Sequence, residues 1–168
     1  TFSLDPEEQR EYMEMADEEV QRLIDMVGRI LDFARRPRQE LKPTDLNDVI
    51  EKVLRLSHKY LQHRRIVLKR NLSDRLPLVL AAPGELSQVF LNLVLNAVDV
   101  MPDGGTLYVS SALGDEGDVR VEVADTGPGI APEHLDLIFE PFFSTKPNGT
   151  GLGLSVSHNI VRRHQGEI

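Results

Sequence analysis

The chain has 168 residues, with 27 Asp and Glu against 19 Lys and Arg and a net charge of -8. Hydrophobic residues at 40% and charged residues at 27% fit a globular chain of about one domain with an appendage, and exclude a disordered polymer or fibrous repeat. The acidic balance argues against a nucleic-acid partner, the lack of cysteine excludes disulfides and thiolate metal sites, and no apolar run matches a membrane span or signal peptide.

The first segment reads as one long helix from Glu7 to Arg36. Asp5 can cap it, Pro6 fits the first turn, Glu7 and Glu8 suit the positive helix end, and no breaker follows before Pro37. Met13, Ala16, Val20, Leu23, Val27, Ile30 and Ala34 form a heptad seam, widened by Ile24 and Leu31. Such a seam predicts packing against other helices in a bundle or dimer, with a plain amphipathic helix on its own core as the simpler alternative. Arg35 to Pro43, with two prolines and four basic residues, reads as a linker. Thr44 is then expected to cap a second helix carrying Leu46, Val49, Ile50, Val53, Leu54 and Leu61, which ends at the basic cluster His63-Arg64-Arg65.

Strand patterns follow at Ile66 to Leu72, Leu78 to Leu80, Thr106 to Leu113 and Val119 to Val123. The turn Gly114-Asp115-Glu116-Gly117 makes the last two a hairpin. Helices are expected from Gly84 to Met101 and from Gly151 to His164, before Gly166 stops the second. The mixture predicts an α+β sandwich, a sheet with helices on one face.

The helix around residue 92 carries its polar residues in one stripe about 80° wide: Glu85, Gln88, Asn92, Asn96 and Asp99. The rest of its circumference is apolar, so the helix should be enclosed and the stripe should line a polar cavity, unless it simply meets solvent. Unpartnered buried carboxamides cost about 1–3 kcal/mol each, which makes two of them a turn apart a poor choice for a passive core. Asp125-Thr126-Gly127-Pro128-Gly129 closes a strand with a carboxylate able to accept from an amino group, although the pattern also suits a plain turn. Gly149-Thr150-Gly151-Leu152-Gly153-Leu154 opens a helix with bulk-free amides, an anion site suited to phosphates. No lysine follows the last glycine, so this is not a P-loop. A carboxylate for a base, carboxamides for a hydrated cation and amides for phosphates together point to Mg2+ and ATP.

Asn92-x-x-x-Asn96-Ala97, Asp125-x-Gly127-x-Gly129, Phe139-Glu140-Pro141-Phe142-Phe143 and Gly149-Thr150-Gly151-Leu152-Gly153-Leu154, in that order, resemble the N, G1, F and G2 boxes of sensor histidine kinases. These belong to the GHKL ATP-binding superfamily, whose domain is also called HATPase_c. The stretches Asn96 to Pro102 and Phe143 to Lys146 are similar to the branch that includes nitrogen-regulatory sensors. The resemblance implies a Bergerat-type two-layer sandwich, its mixed, mostly antiparallel sheet covered by helices and preceded by one coiled-coil-like helix. It implies Asn96 as the Mg2+ ligand, with Asn92 assisting and as a further ligand. Asp125 would bond adenine, and residues 130 to 150 would form a mobile lid whose Lys146 lies near the γ-phosphate. Asn92 and Lys146 would then be the catalytic groups. Asn92, Asn96, Asp99, Asp125, Gly127, Gly129, Ile130, Lys146, Gly149, Thr150, Gly151, Leu152, Gly153 and Leu154 would surround the nucleotide.

The same resemblance divides the chain into residues 1–37, the second helix of a dimerisation and phosphotransfer hairpin, a linker at 38–43, and an ATP-binding domain at 44–168. The expected activity is transfer of the ATP γ-phosphoryl group to a histidine on a dimerisation helix, and onward to a response regulator's receiver domain. A cytoplasmic location is implied, in a homodimeric parent that is free to be membrane-anchored, with no nucleic acid involved. None of His58, His63, His134, His158 or His164 is followed by Asp or Glu, as the family's acceptor histidine is, and the family usually continues beyond Gly166-Glu167-Ile168 into one or two more strands, so the resemblance implies a fragment without that acceptor and without those strands. Three other readings compete: a gyrase-like ATPase clamp, a scaffold with an empty pocket, and an anti-sigma-type serine kinase. The clamp needs a glutamate to activate water where this chain has Asn92, whose amide is no base.

Overall fold

A computed structural model describes Asp5, Arg10, Tyr12, Met13 and residues 40–146 and 149–168. The chain divides into two compact units, residues 1–37 and 38–168. In the first, Arg10, Tyr12 and Met13 are helical. The rest of the expected helix and its heptad seam lies outside the described residues.

The second unit begins earlier than the sequence suggests. Strand β1 (Lys42–Thr44) starts inside the expected linker and pairs antiparallel with β3 (Val79–Ala81), Pro43 opposite Leu80. Proline is tolerated there because a two-stranded ribbon has outer edges that need no donor. Helix α1 (Leu46–His63) follows. Its cap is Asp45, whose Oδ1 accepts from the amide of Asn47 at 2.8 Å, and not Thr44. Thr44 ends the strand instead, donating through Oγ1 to the carbonyls of Lys42 and Ala81. The buried face of α1, from Leu46 through Val49, Ile50, Val53, Leu54 and Ser57 to Leu61, follows the helical spacing of three and four.

Strand β2 (Ile66–Leu72) lies parallel to β4 (Gly105–Leu113), and β4 lies antiparallel to β5 (Val119–Asp125), giving the order β2-β4-β5. A parallel pair needs a long crossover, and β3 with helix α2 (Pro83–Asp99) supplies it. The expected hairpin joins β4 and β5, its turn closed by the Gly114 amide on the Asp118 carbonyl at 2.8 Å. Leu107, Val109 and Ser111 are buried while Tyr108 between them is exposed, so one face of the sheet carries the helices. Val94 and Val98 from α2, Ile50 and Val53 from α1 and Ile160 from helix α3 (Gly153–Arg163) complete this core. Each such side chain contributes about 1.5–3 kcal/mol on burial. Helix α3 ends in a Schellman pattern: the Gly166 amide reaches the Val161 carbonyl and that of Gln165 reaches Arg162. The left-handed residue is Gln165, at φ 60, one position before the glycine that the sequence marks as the stop. Among the described residues no helix is long and apolar enough to cross a membrane.

Candidate functional site

Helix α2 does not turn its polar stripe to one continuous cavity, as its pattern predicts, because α3 packs along it. At the N-terminal end Glu85 is only 3% exposed. Its Oε2 lies 3.2 Å from Arg163 Nη2 at the far end of α3 and 4.0 Å from His164 Nδ1. The Ala82 amide donates to His164 Nε2 at 3.0 Å, so Nδ1 carries the proton and donates to the Ile160 carbonyl at 2.8 Å. Arg163 is therefore the charge that faces Glu85, and the start of α2 is stitched to the end of α3. The sequence did not suggest this pairing, since Glu85 read as one more member of the stripe.

Two turns further on, the stripe meets the beginning of α3. Asn92 Nδ2 donates to the Gly153 carbonyl at 3.0 Å and to Ser157 Oγ at 3.2 Å. Ser157 Oγ donates to that same carbonyl at 2.9 Å. Gly153 is close to both asparagines: a Cβ there would lie 4.0 Å from Asn92 Cγ and from Asn96 Nδ2. Asn96 turns its Oδ1 to the ammonium of Lys146 in a long contact of 3.5 Å, and Asp99 Oδ2 holds the same ammonium at 3.0 Å. The Lys146–Asp99 pair is partly exposed on both sides and is worth less than about 1 kcal/mol. It places a positive charge over the last turn of α2, where the stripe ends.

The turn after β5 abuts the same end of the helix. Asp125 Oδ1 accepts from the Gly127 amide at 2.8 Å, which leaves Oδ2 for another donor. Gly127 has no room for a side chain, since a Cβ would come within 2.8 Å of Val100 Cγ2. Gly129 is in the left-handed region at φ 76 with open space beside it, and Ile130 is exposed. Thr126 fastens the turn, its Oγ1 accepting from the Thr106 amide at 3.0 Å.

Between this turn and α3 the chain forms a short 3-10 turn at Pro132–His134 and then irregular backbone held by a few contacts. The Phe139 ring stacks on His158 of α3 at 4.9 Å, and Phe143 meets His134 edge-on at 5.4 Å. Phe142 adopts φ 69 with its side chain 69% exposed, and its amide donates to the Gly151 carbonyl at 3.0 Å. Gly151 sits at φ 65, and a Cβ there would lie 2.3 Å from the Phe142 carbonyl carbon. The Gly149 amide is already spent on the Lys146 carbonyl at 3.1 Å, so it is not free for a phosphate as the glycine pattern suggests. Thr150 and Leu154 are half-buried, whereas Leu152 is buried and offers a ligand only its backbone. Helix α3 starts at Gly153 with no side-chain cap, so its first-turn amides face outward without a side-chain acceptor, the arrangement an anion needs.

The structure thus brings Asn92, Asn96, Asp99, Lys146 and Gly153 together, and sets the Asp125–Gly127 turn against the end of α2. Ser157 is the residue that the sequence reading passed over. Its one signal is a serine four residues after a helix-opening glycine, which places its hydroxyl back over that glycine's carbonyl.

A model of the histidine kinase-, DNA gyrase B- and HSP90-like ATPases matches residues 81–168, just over half of the chain. Sensor histidine kinase ZraS of Escherichia coli (strain K12) is 41% identical over 150 residues, covering 89% of this chain and 32% of that protein. Sensory histidine kinase/phosphatase NtrB of Vibrio alginolyticus is 33% identical over 94% of this chain and 47% of its own length. Full-length ShkA, solved in complex with AMPPNP, superposes with a TM-score of 0.76 at 33% identity, covering 96% of this chain and 35% of that one. The chain spans about a third of the length of the ZraS proteins it matches. From its sequence match and its fold, this chain belongs to the histidine kinase-, DNA gyrase B- and HSP90-like ATPases and carries the ATPase domain of a sensor histidine kinase.

Proposed function

We propose that this chain binds Mg2+ and ATP where α2 meets the first turn of α3. There it supplies the catalytic domain that passes the γ-phosphoryl group to a histidine of a dimerisation helix, and from there to a response regulator. The reading rests on one observation above others: Asn92 and Asn96 both lie against Gly153, the uncapped start of α3, and Asn96 also meets the cation of Lys146.

The donor set fits a magnesium ion. Asn96 Oδ1 and Asp99 Oδ2 already converge on a positive charge, the Lys146 ammonium. A magnesium ion takes few protein oxygens and completes its shell with water and phosphate. Asn96 would hold the ion with Asn92 and Asp99 beside it, and the ion would neutralise phosphate charge. The first-turn amides of α3 would take phosphate oxygens, and Lys146 would follow the γ-phosphate as charge builds there. Asp125 would accept from the adenine amino group through Oδ2. In the transfer, the bond from the γ-phosphorus to its bridging oxygen breaks as a bond to an imidazole nitrogen forms, and ADP leaves. Asn92 has no basic oxygen with which to activate water, which favours a protein acceptor over hydrolysis.

Relatives support the wider assignment. ZraS and NtrB are named sensor histidine kinases, and ThkA, with a TM-score of 0.74 at 28% identity, was solved with the response regulator protein TrrA. In this reading residues 1–37 are the second helix of the hairpin, 44–168 the catalytic domain, the parent a homodimer, and the location cytoplasmic.

Calorimetry tests the nucleotide reading: ATP with magnesium, and ADP, should give saturable heats, and none at millimolar nucleotide would refute it. Adding a helical hairpin with a His-Asp or His-Glu motif and γ-labelled ATP should yield labelled phosphohistidine on the hairpin. Steady ATP hydrolysis that is lost in Asn92→Ala would instead identify a clamp.

A further inference from the structure

We infer that Ser157 is a positioning residue that fixes which way round the Asn92 carboxamide sits, so that its oxygen and not its nitrogen faces the nucleotide and metal. This deepens the proposed function and rests on it. Ser157 is fully buried, at 0% exposure, and makes two hydrogen bonds within its own corner. The Gly153 carbonyl can only accept, so the single hydroxyl proton of Ser157 points at it, across 2.9 Å. A lone pair of Oγ is then what faces Asn92 at 3.2 Å. The other atom that meets the Asn92 amide from α3 is the Gly153 carbonyl, at 3.0 Å. Both neighbours are acceptors, so this side of the carboxamide must be the NH2 group. Reversing the amide would set its oxygen against two acceptors and forfeit both bonds.

With the nitrogen held in this way, Oδ1 points away from α3. Asn96 is arranged alike: its Nδ2 is the atom nearest Gly153, while its Oδ1 receives Lys146. The two asparagines therefore present their oxygens on the side away from Gly153, as ligands for a cation must. Without the Ser157 acceptor, Asn92 keeps one anchoring bond of two and the flipped state becomes accessible.

Nucleotide affinity measured with excess magnesium and again with EDTA tests this, in the wild type, Ser157→Ala, Asn92→Ala and the double variant. Ser157→Ala should leave the EDTA affinity and the melting curve near wild type and reduce the magnesium enhancement about 3- to 10-fold, the scale of one hydrogen bond. In the Asn92→Ala background the same substitution should change nothing further. Ser157→Cys, which keeps a weak acceptor, should fall between serine and alanine. A magnesium enhancement untouched by Ser157→Ala overturns the inference alone, and so does an equal loss in both backgrounds. A wild-type chain with no nucleotide binding overturns the proposed function, and this inference with it.

Discussion

Gly151→Ala puts the attachment of the Phe142 segment to the start of α3 under direct strain. At φ 65 an L residue costs about 1–2 kcal/mol. The new Cβ would also lie 2.3 Å from the Phe142 carbonyl carbon and 2.6 Å from its Cα. Those are backbone atoms, so no rotamer relieves the clash; the Phe142 segment must retreat by about 1.2–1.7 Å to regain ordinary carbon contact. That movement breaks the 3.0 Å bond from the Phe142 amide to the Gly151 carbonyl, worth about 1 kcal/mol. It also removes what holds Phe142 in its own left-handed conformation at φ 69. The total, about 2–3 kcal/mol, corresponds to a 30- to 150-fold loss in the ordered state of the Phe142 segment. Titration with a fluorescent ATP analogue should show a loss of affinity of about that size, while the melting curve without nucleotide stays near wild type because the core around Leu107, Val109 and Ile160 is untouched. Gly117→Ala provides the control: it carries the same kind of backbone strain at φ 85, with nothing within 4 Å, and should leave nucleotide binding unchanged. Binding by Gly151→Ala within about threefold of wild type, below one hydrogen bond's worth, would refute the reasoning.

Asn96→Ala should remove the magnesium enhancement of nucleotide binding while melting like the wild type; a grossly unfolded variant would mean that the residue is structural. Asp125→Ala should lose about 10- to 150-fold in ATP affinity, as expected for a hydrogen bond to a charged acceptor, and should lose discrimination between ATP and inosine triphosphate, whose base lacks the amino group. An unaltered ratio between the two nucleotides would exclude Asp125 from base recognition. Arg163→Ala should lower the unfolding free energy in urea by about 1–3 kcal/mol, since Arg163 is itself part-exposed. Glu85→Gln should cost less, because only the arginine variant strands a buried carboxylate; the opposite order would show that the Arg163 contact is incidental.

Much of this architecture follows from local pattern. The helical spacing of Leu46 to Leu61 and the alternation along Val119 to Val123 each commit a segment to one buried face, and no distant residue can reverse that choice without exposing the whole set. Asn92, Asn96, Asp125 and the glycine run are legible as candidate site residues because polar or bulk-free positions at the edge of an apolar surface suit a ligand. Strand β1 is not, since three residues around Pro43 carry no periodicity and owe their shape to β3. The cap at Asp45 in place of Thr44, and the left-handed Gln165 in place of glycine, are settled by one residue's difference in where the backbone turns. The burial of Leu152, which leaves a ligand only its backbone, and the loss of the Gly149 amide to Lys146 likewise appear only once the turn has closed.

The amino-acid order by itself therefore determined which side chains gather along one edge of α2 and which loops lack bulk. Only the packing of α3 against α2 decided that Glu85 would be neutralised by Arg163, that the stripe would be divided, and that Asn92 would show its oxygen to the site. The reason is physical: a carboxamide has no preferred side of its own, and the acceptors that choose for it, on Gly153 and Ser157, lie 61 and 65 residues further along the chain.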